Sequence, residues 1–200
     1  MLNDRKFYSY VQVAKVQSEL SHCIRLNVGA CLFNLNTGRV LATGYNGTPV
    51  GFINCDELFI HDQLLDRYSI NPKLKYYLDT FMPNVDLGKE PIEVDSSTFR
   101  KYHHEFSEKY ETHAEMNCLL NAYRDGLTSK SEEVGLAITH QPCYNCCKLI
   151  ASSGIKVVLY ENCYDRNDEL KVNNHLKKFG IKVGKILRDV YNGVSVKWQI

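Results

Sequence analysis

Two hundred residues, 44% of them hydrophobic and 24% charged, predict a soluble globular chain of one domain, large enough to bury about 70% of the surface its unfolded form exposes. A formal net charge of +1 with no obvious Lys/Arg stripe argues against a grip on a nucleic-acid backbone and favours a small-molecule substrate. No run of about 18 apolar residues is available to span a membrane, and the opening Met1-Leu2-Asn3-Asp4-Arg5-Lys6 lacks a signal-peptide core. These features imply a reducing, cytoplasmic setting, in which the eight cysteines read as ligands and buried thiols rather than disulfides.

The first predicted element is a helix over residues 4–20. Phe7, Tyr10, Val11 and Ala14 fall at helical spacing, and Asn3 or Asp4 can cap it. Residues 28–34 and 39–45 are short β-type runs joined by Asn36-Thr37-Gly38, which predicts a hairpin. Residues 44–51, with Gly44, Gly47, Pro49 and Gly51, form a shaped loop. Residues 56–112 differ in character: Pro72, Pro83 and Pro91, many charges and weak periodicity mark an insertion, with short helices around 57–68 and 72–80.

From residue 112 the pattern is regular. A helix is predicted from 112 to about 125, stopping at Gly126, then a strand over 134–139. The next helix has Pro142 at its first position and ends near Gly154. A strand over 155–160, a helix over 168–179 and a strand over 181–187 follow, and Val194, Val196, Trp198 and Ile200 alternate as a final edge strand does. This alternation predicts an α/β fold: a three-layer α/β/α sandwich around a mixed, about five-stranded sheet with right-handed crossovers. The whole of 1–200 reads as one domain carrying an insertion at about 56–112.

The chemistry concentrates in His113-Ala114-Glu115 and Pro142-Cys143-Tyr144-Asn145-Cys146. One His and two Cys at that spacing supply three ligands to a tetrahedral zinc and leave the fourth position for water. His113 is expected in the first turn of one helix. Cys143 and Cys146 are expected in the first turn of the next, on one face. Partial positive charge at both helix N-termini favours thiolates, and zinc held there makes hydroxide from water near neutral pH. Glu115 is not counted as a ligand. It is placed to take the water's proton and deliver it to a ring nitrogen and then to a departing amine, as a general acid/base.

That H-x-E…P-C-x-x-C signature belongs to hydrolytic deaminases of nucleobases. Two plainer readings stand beside it. Thr112-x-x-Glu115 also fits a capping box, and a lone C-x-x-C can be half of a structural zinc site. Ligands at both helix starts, with an acid/base group beside one of them, favour the catalytic reading. Of the other cysteines, Cys31 and Cys118 fall inside a predicted strand and helix and read as buried apolar residues. Cys147 follows a ligand directly and points elsewhere, and Cys163 is unassigned. Cys23 and Cys55 lie in loops, and His103 and His104 close the insertion. His22, His140 and His175 read as ordinary surface or packed residues.

Beyond the zinc motif, Val28-Gly29-Ala30, Gly44-Tyr45-Asn46-Gly47-Thr48-Pro49, His113-Ala114-Glu115-Met116-Asn117 and Ser153-Gly154-Ile155-Lys156 resemble deoxycytidylate (dCMP) deaminases over most of residues 8–187. The long insertion resembles those of T4-like bacteriophages. The resemblance implies a cytidine deaminase-like fold and conversion of dCMP to dUMP and ammonia, feeding thymidylate synthesis, in the host cytoplasm for a phage-encoded chain. It implies that Asn46 contacts the deoxyribose hydroxyl, that the Ala114 N–H binds the pyrimidine carbonyl, and that Tyr164 lies near the sugar–phosphate. It further implies a homo-hexamer with Arg124 at an interface. Activation by dCTP (with Mg2+) and inhibition by dTTP would act through Gly44, Tyr45 and Gly47 and through subunit contacts. A second, structural zinc maps by resemblance to Cys23, Cys55, His103 and Glu111, with His104 and His61 as competing ligands; such a clip would hold an irregular insertion together.

The rival readings share the zinc motif. A DNA or RNA cytosine or adenosine deaminase adds a basic groove and stacking platforms, which the charge balance does not favour. Free-cytidine deaminases usually have Cys in place of His113, and a riboflavin-pathway deaminase brings a reductase domain for which there is no room. A zinc-stabilised nucleotide-binding protein keeps the ligands but has no need of Glu115.

Overall fold

The computed structural model describes residues 2–58, 97–126, 133–164, 168–189 and 193–199. The predicted helix at 72–80, most of that at 57–68, and His61 lie outside the described residues. Strands β1 (Gly29–Asn34) and β2 (Val40–Tyr45) form the antiparallel hairpin expected from the sequence. Strand β3 (Val134–His140) pairs antiparallel with β1. Strands β4 (Val157–Asn162) and β5 (Lys182–Asp189) continue the sheet in parallel, and β6 (Gly193–Trp198) closes it antiparallel to β5. The sheet order is β2-β1-β3-β4-β5-β6, six strands among the described residues against the expected five or so. The final alternating run pairs fully, which accounts for the difference.

Helix α1 (Asp4–Ser18) covers one face. Phe7, Tyr10, Val11 and Ala14 pack on Cys31, Phe33, Ala137 and Leu159, the residues of alternate strand positions that face them. Tyr10 stacks on Phe33 at 4.0 Å between centroids and donates its hydroxyl to the Gly38 carbonyl at 2.9 Å. The Asn3 side chain caps the helix by accepting from Lys6 N–H, which frees Asp4 to accept from the Val196 N–H at 3.1 Å and tie the first helix to the last strand.

The opposite core holds Ala30, Leu32, Leu136, Ile138, Val158, Tyr160 and Val183, from the intervening strand positions. They meet apolar residues of the helices that in chain order we number α4 (Ala114–Arg124), α5 (Tyr144–Ser152) and α6 (Glu169–Lys178). Each Leu, Ile or Val buried in this way contributes about 1.5–3 kcal/mol. Sheet strand β2 runs unusually close to α4. A Cβ at Gly44 would stand 2.3 Å from the Cys118 nitrogen and 2.7 Å from the Ala114 carbonyl oxygen, so only glycine fits there. Asn117 and Asn121 of α4 donate to the Tyr45 and Thr43 carbonyls at 2.8 and 2.9 Å, which occupies acceptors of this end strand.

Both site helices start later than the sequence predicts. Helix α4 begins at Ala114 with His113 as N-cap, and α5 begins at Tyr144 with Cys143 as N-cap, so Pro142 precedes the cap instead of opening the helix. The physical reason lies in the backbone: His113 (ψ 153°) and Cys143 (ψ 167°) are extended, as cap residues are.

The chain divides into two compact units. The first, residues 1–21, 27–46 and 113–200, holds the sheet with its helices; the second comprises residues 22–26 and 47–112. The second contains α2 (Cys55–Leu58) and α3 (Ser97–Tyr110), of which α3 is not anticipated from the sequence. Its buried Phe106 packs near Tyr110 at 5.5 Å, and Tyr110 stacks on Phe52 at 5.1 Å. Gly47 and Thr112 pair through two backbone hydrogen bonds of 3.1 and 2.9 Å, at the two ends of the longer segment. No helix among the described residues is long and apolar enough to cross a membrane.

Candidate active site and metal centres

The extended cap residues His113 and Cys143 turn their side chains toward Cys146, in the first turn of α5. His113 Nδ1 lies 3.5 Å from Cys143 Sγ and 3.3 Å from Cys146 Sγ. A tetrahedral zinc with Zn–S about 2.3 Å and Zn–N about 2.0–2.1 Å requires its N and S ligands about 3.6 Å apart, close to both nitrogen–sulfur separations here, and the three atoms lie within 4.8 Å of one another. The two thiols share one hydrogen bond. Cys143 is held down at about 4, chiefly by the hydrogen bond from Cys146, while that same bond and burial push Cys146 above the usual thiol range. A dication displaces a thiol proton held in this way.

Glu115, two residues after His113, is 4% exposed. Burial pushes its carboxyl above the usual range, opposed by the charge of His113 and by its own backbone N–H. A capping box requires Thr112 to be the N-cap. His113 holds that position instead, and the Thr112 N–H donates to the Gly47 carbonyl.

The other substrate candidates are placed as follows. Ala114 is the first residue of α4, where a backbone N–H has no acceptor within the helix. Asn46 is buried, with Oδ1 accepting from the Val28 N–H at 2.8 Å. Tyr164 is half-buried just beyond β4, and Arg124 is exposed in the last turn of α4. Gly44 and Tyr45 end β2 against α4, while Gly47 belongs to the second unit, in its bridge with Thr112. His22 pairs with Asp56 at 2.8 Å, His140 with the Thr139 hydroxyl at 3.1 Å, and His175 lies edge-on between Tyr144 and Phe179.

The second unit carries its own cluster. Cys23, Cys55 and His103 are buried, and one ligand atom from each lies within 4.8 Å of the others. Cys23 Sγ stands 3.5 Å from His103 Nε2, again the separation of tetrahedral zinc ligands. Cys23 is held down at about 4, first by its hydrogen bond with Cys55, and Cys55 is pushed up by the same bond, by burial and by the charges of Cys23 and Glu111. Glu111 is buried but is not one of the clustered atoms. His104 is half-exposed and pairs with Glu108 at 3.4 Å. Cys31, Cys118 and Cys147 are fully buried in the two cores of the first unit.

A polar chain not anticipated from the sequence adjoins the Cys143 turn. Gln141 Nε2 donates to Asn173 Oδ1 and to the Glu169 carbonyl, both at 2.9 Å. Asn173 Nδ2 donates to the Tyr160 oxygen at 2.8 Å, and the Tyr160 hydroxyl donates to Glu169 Oε1 at 2.7 Å. Lys185 Nζ donates to the same Oε1 at 3.0 Å and to Cys163 Sγ at 2.8 Å. The Tyr160 hydroxyl, then Cys163 and Lys185, hold the Glu169 carboxyl down at about 2 against its ordinary 4.5. The stabilisation from this depressed group is therefore fully present above about 4.5 and lost as pH falls through about 2. Urea unfolding across that window should show the stability gap between wild type and Glu169→Gln closing as pH falls; a constant gap would sink the assignment.

Among solved structures, the chain is similar to dCMP deaminase of the cyanophage S-TIM5 in complex with dCMP and dUMP. The match has a TM-score of 0.58 and 25% identity, over 92% of this chain and 99% of that one. The architecture is the cytidine deaminase-like α/β fold. The family profile for the cytidine and deoxycytidylate deaminase zinc-binding region matches residues 1–162. Deoxycytidylate deaminases of Enterobacteria phages T2 and T4 are each 33% identical over 181 residues. Both alignments span 88% of this chain, and 92% and 90% of those proteins. The chain belongs to the cytidine and deoxycytidylate deaminase family.

Proposed function

We propose that this protein hydrolyses dCMP to dUMP and ammonia. The observation that carries the reading is the three-atom cradle of His113, Cys143 and Cys146 with buried Glu115 two residues beyond the histidine. The phage relatives and the cyanophage complex support dCMP as substrate, and the net charge of +1 favours a monomeric nucleotide over a polymer.

In this reading His113, Cys143 and Cys146 hold zinc, which supplies the Lewis acidity that lets water lose a proton near neutral pH. Glu115 accepts that proton and hands it to the ring nitrogen beside the amine-bearing carbon; it then takes the second proton from the hydroxyl newly bonded to that carbon and passes it to the departing amine, so that dCMP and water become dUMP and ammonia. The Ala114 N–H orients the pyrimidine carbonyl, Asn46 meets the sugar hydroxyl, and Tyr164 borders the sugar–phosphate. Cys23, Cys55 and His103, with Glu111 as fourth ligand, hold a structural zinc in the inserted segment of a single deaminase domain. Homo-hexamer assembly with Arg124 at an interface belongs to the same reading. So do effector control by dCTP with Mg2+ and by dTTP, acting through Gly44, Tyr45 and Gly47, and a cytoplasmic location.

The test is ammonia release from dCMP, dCTP, cytidine and single-stranded DNA at equal concentrations. Turnover should be confined to, or at least about tenfold faster with, dCMP, well below the roughly 10⁴–10⁵-fold by which a site built to hydrogen-bond a group can reject a substrate that lacks it. Preference for the polymer would transfer the protein to the polynucleotide deaminases. Turnover of no substrate would leave a zinc-stabilised nucleotide-binding protein.

A further inference from the structure

The hydrogen bonds from Gln141 to Glu169 all run one way. Each donor points along the chain toward Glu169, to its backbone carbonyl from Gln141 and to its carboxylate from Tyr160, and turning the Gln141 amide over would set its oxygen against two acceptors, Asn173 Oδ1 and the Glu169 carbonyl. Gln141, Asn173 and Tyr160 are 2%, 1% and 0% exposed, so water cannot replace a lost partner, and one arrangement is enforced.

The chain is anchored at both of its ends. Gln141 also donates its backbone N–H to the Asn162 carbonyl at 2.8 Å, and Asn162 returns Nδ2 to the Thr139 carbonyl at 3.0 Å. Next comes Pro142, whose ring fixes φ, and then the cap residue Cys143. Little slack therefore separates the Gln141 amide from the Cys143 sulfur. At the other end, Lys185 joins the same Glu169 oxygen to Cys163, the residue before Tyr164.

We propose that Gln141, Asn173 and Tyr160 are positioning residues for the metal centre, and that Lys185 positions the 163–164 turn, with Glu169 as their common anchor. None of them touches the reacting atoms. The first three hold the Cys143 sulfur where the cradle needs it; the lysine holds the Tyr164 side of the nucleotide site. This assignment rests on the functional reading above, and it separates the two ends of the relay by what each controls.

The experiment compares Gln141→Met, Tyr160→Phe, their double variant and Lys185→Met in the zinc-loaded full chain. Zinc transfer to a chromogenic chelator and dCMP kinetics are read on each. Outer-shell partners of zinc ligands typically govern about 10–100-fold in metal affinity or activity, so Gln141→Met should release zinc about tenfold faster and lower kcat about tenfold, with KM little changed. Tyr160→Phe should shift both about threefold in the same direction, and the double variant should be no worse than Gln141→Met, because the two residues act through one chain. Lys185→Met should instead raise KM several-fold, with kcat and zinc release held. Where Gln141→Met fails to fold, Tyr160→Phe carries the test. Wild-type zinc release from both Gln141→Met and Tyr160→Phe, even with a lowered Tm, overturns the proposal, as does strict additivity in the double variant. Absence of dCMP turnover by the wild type overturns the functional reading alone, since zinc release is measured without substrate.

Discussion

Glu115→Gln should reduce dCMP turnover about a thousandfold or more, within the range of about 10²–10⁴ that a positioned general acid/base supplies, and leave the zinc content at the wild-type value. Glutamine has the size of glutamate and fills the same buried site at 4% exposure, but it cannot ferry a proton. The three ligand side chains are unchanged, and glutamine keeps an oxygen with which to meet the Cys146 thiol that Glu115 hydrogen-bonds. Stability should hold or rise slightly, because the substitution removes a carboxyl that burial penalises when charged. The geometry gives Glu115 no capping duty to lose, since His113 and not Thr112 is the N-cap. The measurements are ammonia release, bound zinc per chain and Tm. Retained turnover would reduce Glu115 to a structural residue.

Cys55→Ser is expected to have the largest effect on stability. The wild type should bind about two zinc per chain and the variant about one, because structural zinc sites need their thiolates. Cys55 is 1% exposed and sits at the start of a helix of four residues, far too short to persist by its own hydrogen bonds. Apparent binding energies of about 10–16 kcal/mol for structural zinc in small domains show how much folding free energy such an ion supplies. Amide hydrogen exchange over Ser97–Tyr110 should therefore accelerate by orders of magnitude in the variant. A wild-type value near one zinc, or unchanged exchange on losing the thiol, would remove the second ion from the account.

Much of the first unit was legible because its residues repeat at the periods of helix and strand. Phe7, Tyr10, Val11 and Ala14 gave α1, and the alternation of Val194, Val196 and Trp198 gave β6. The cradle was legible for another reason: two of its ligands lie on one helix turn, and the third is followed at once by its acid/base partner. Helix starts were misplaced by one or two residues, because proline position marks a helix entrance less finely than the extended ψ of the cap residue.

Helix α3 was missed although Phe106 and Tyr110 stand at helical spacing with His103. Charged and polar neighbours lower the contrast of that stripe, and the surrounding prolines suggested irregular chain. The relay from Gln141 to Lys185 had no local signal. Its members come from a turn, two strands and a helix, and only the parallel pairing of β4 with β5 sets Tyr160 opposite Lys185. Buried Asn173 offered one clue, a polar residue beside Val172 and ahead of Leu176 on the apolar side of α6.

The antiparallel bridge between Gly47 and Thr112 has an architectural consequence. The polypeptide departs and comes back through one hydrogen-bonded gateway, so the span between them is a closed excursion with both feet on the same spot. Closure entropy grows only logarithmically with contour length. Added loop length beyond that gateway accordingly costs little closure entropy, with the separation of its feet unchanged. That tolerance is for lengthening alone, because Cys55, Leu58, His103 and Phe106 are buried between the feet; His113, one residue past the gateway, marks where it ends.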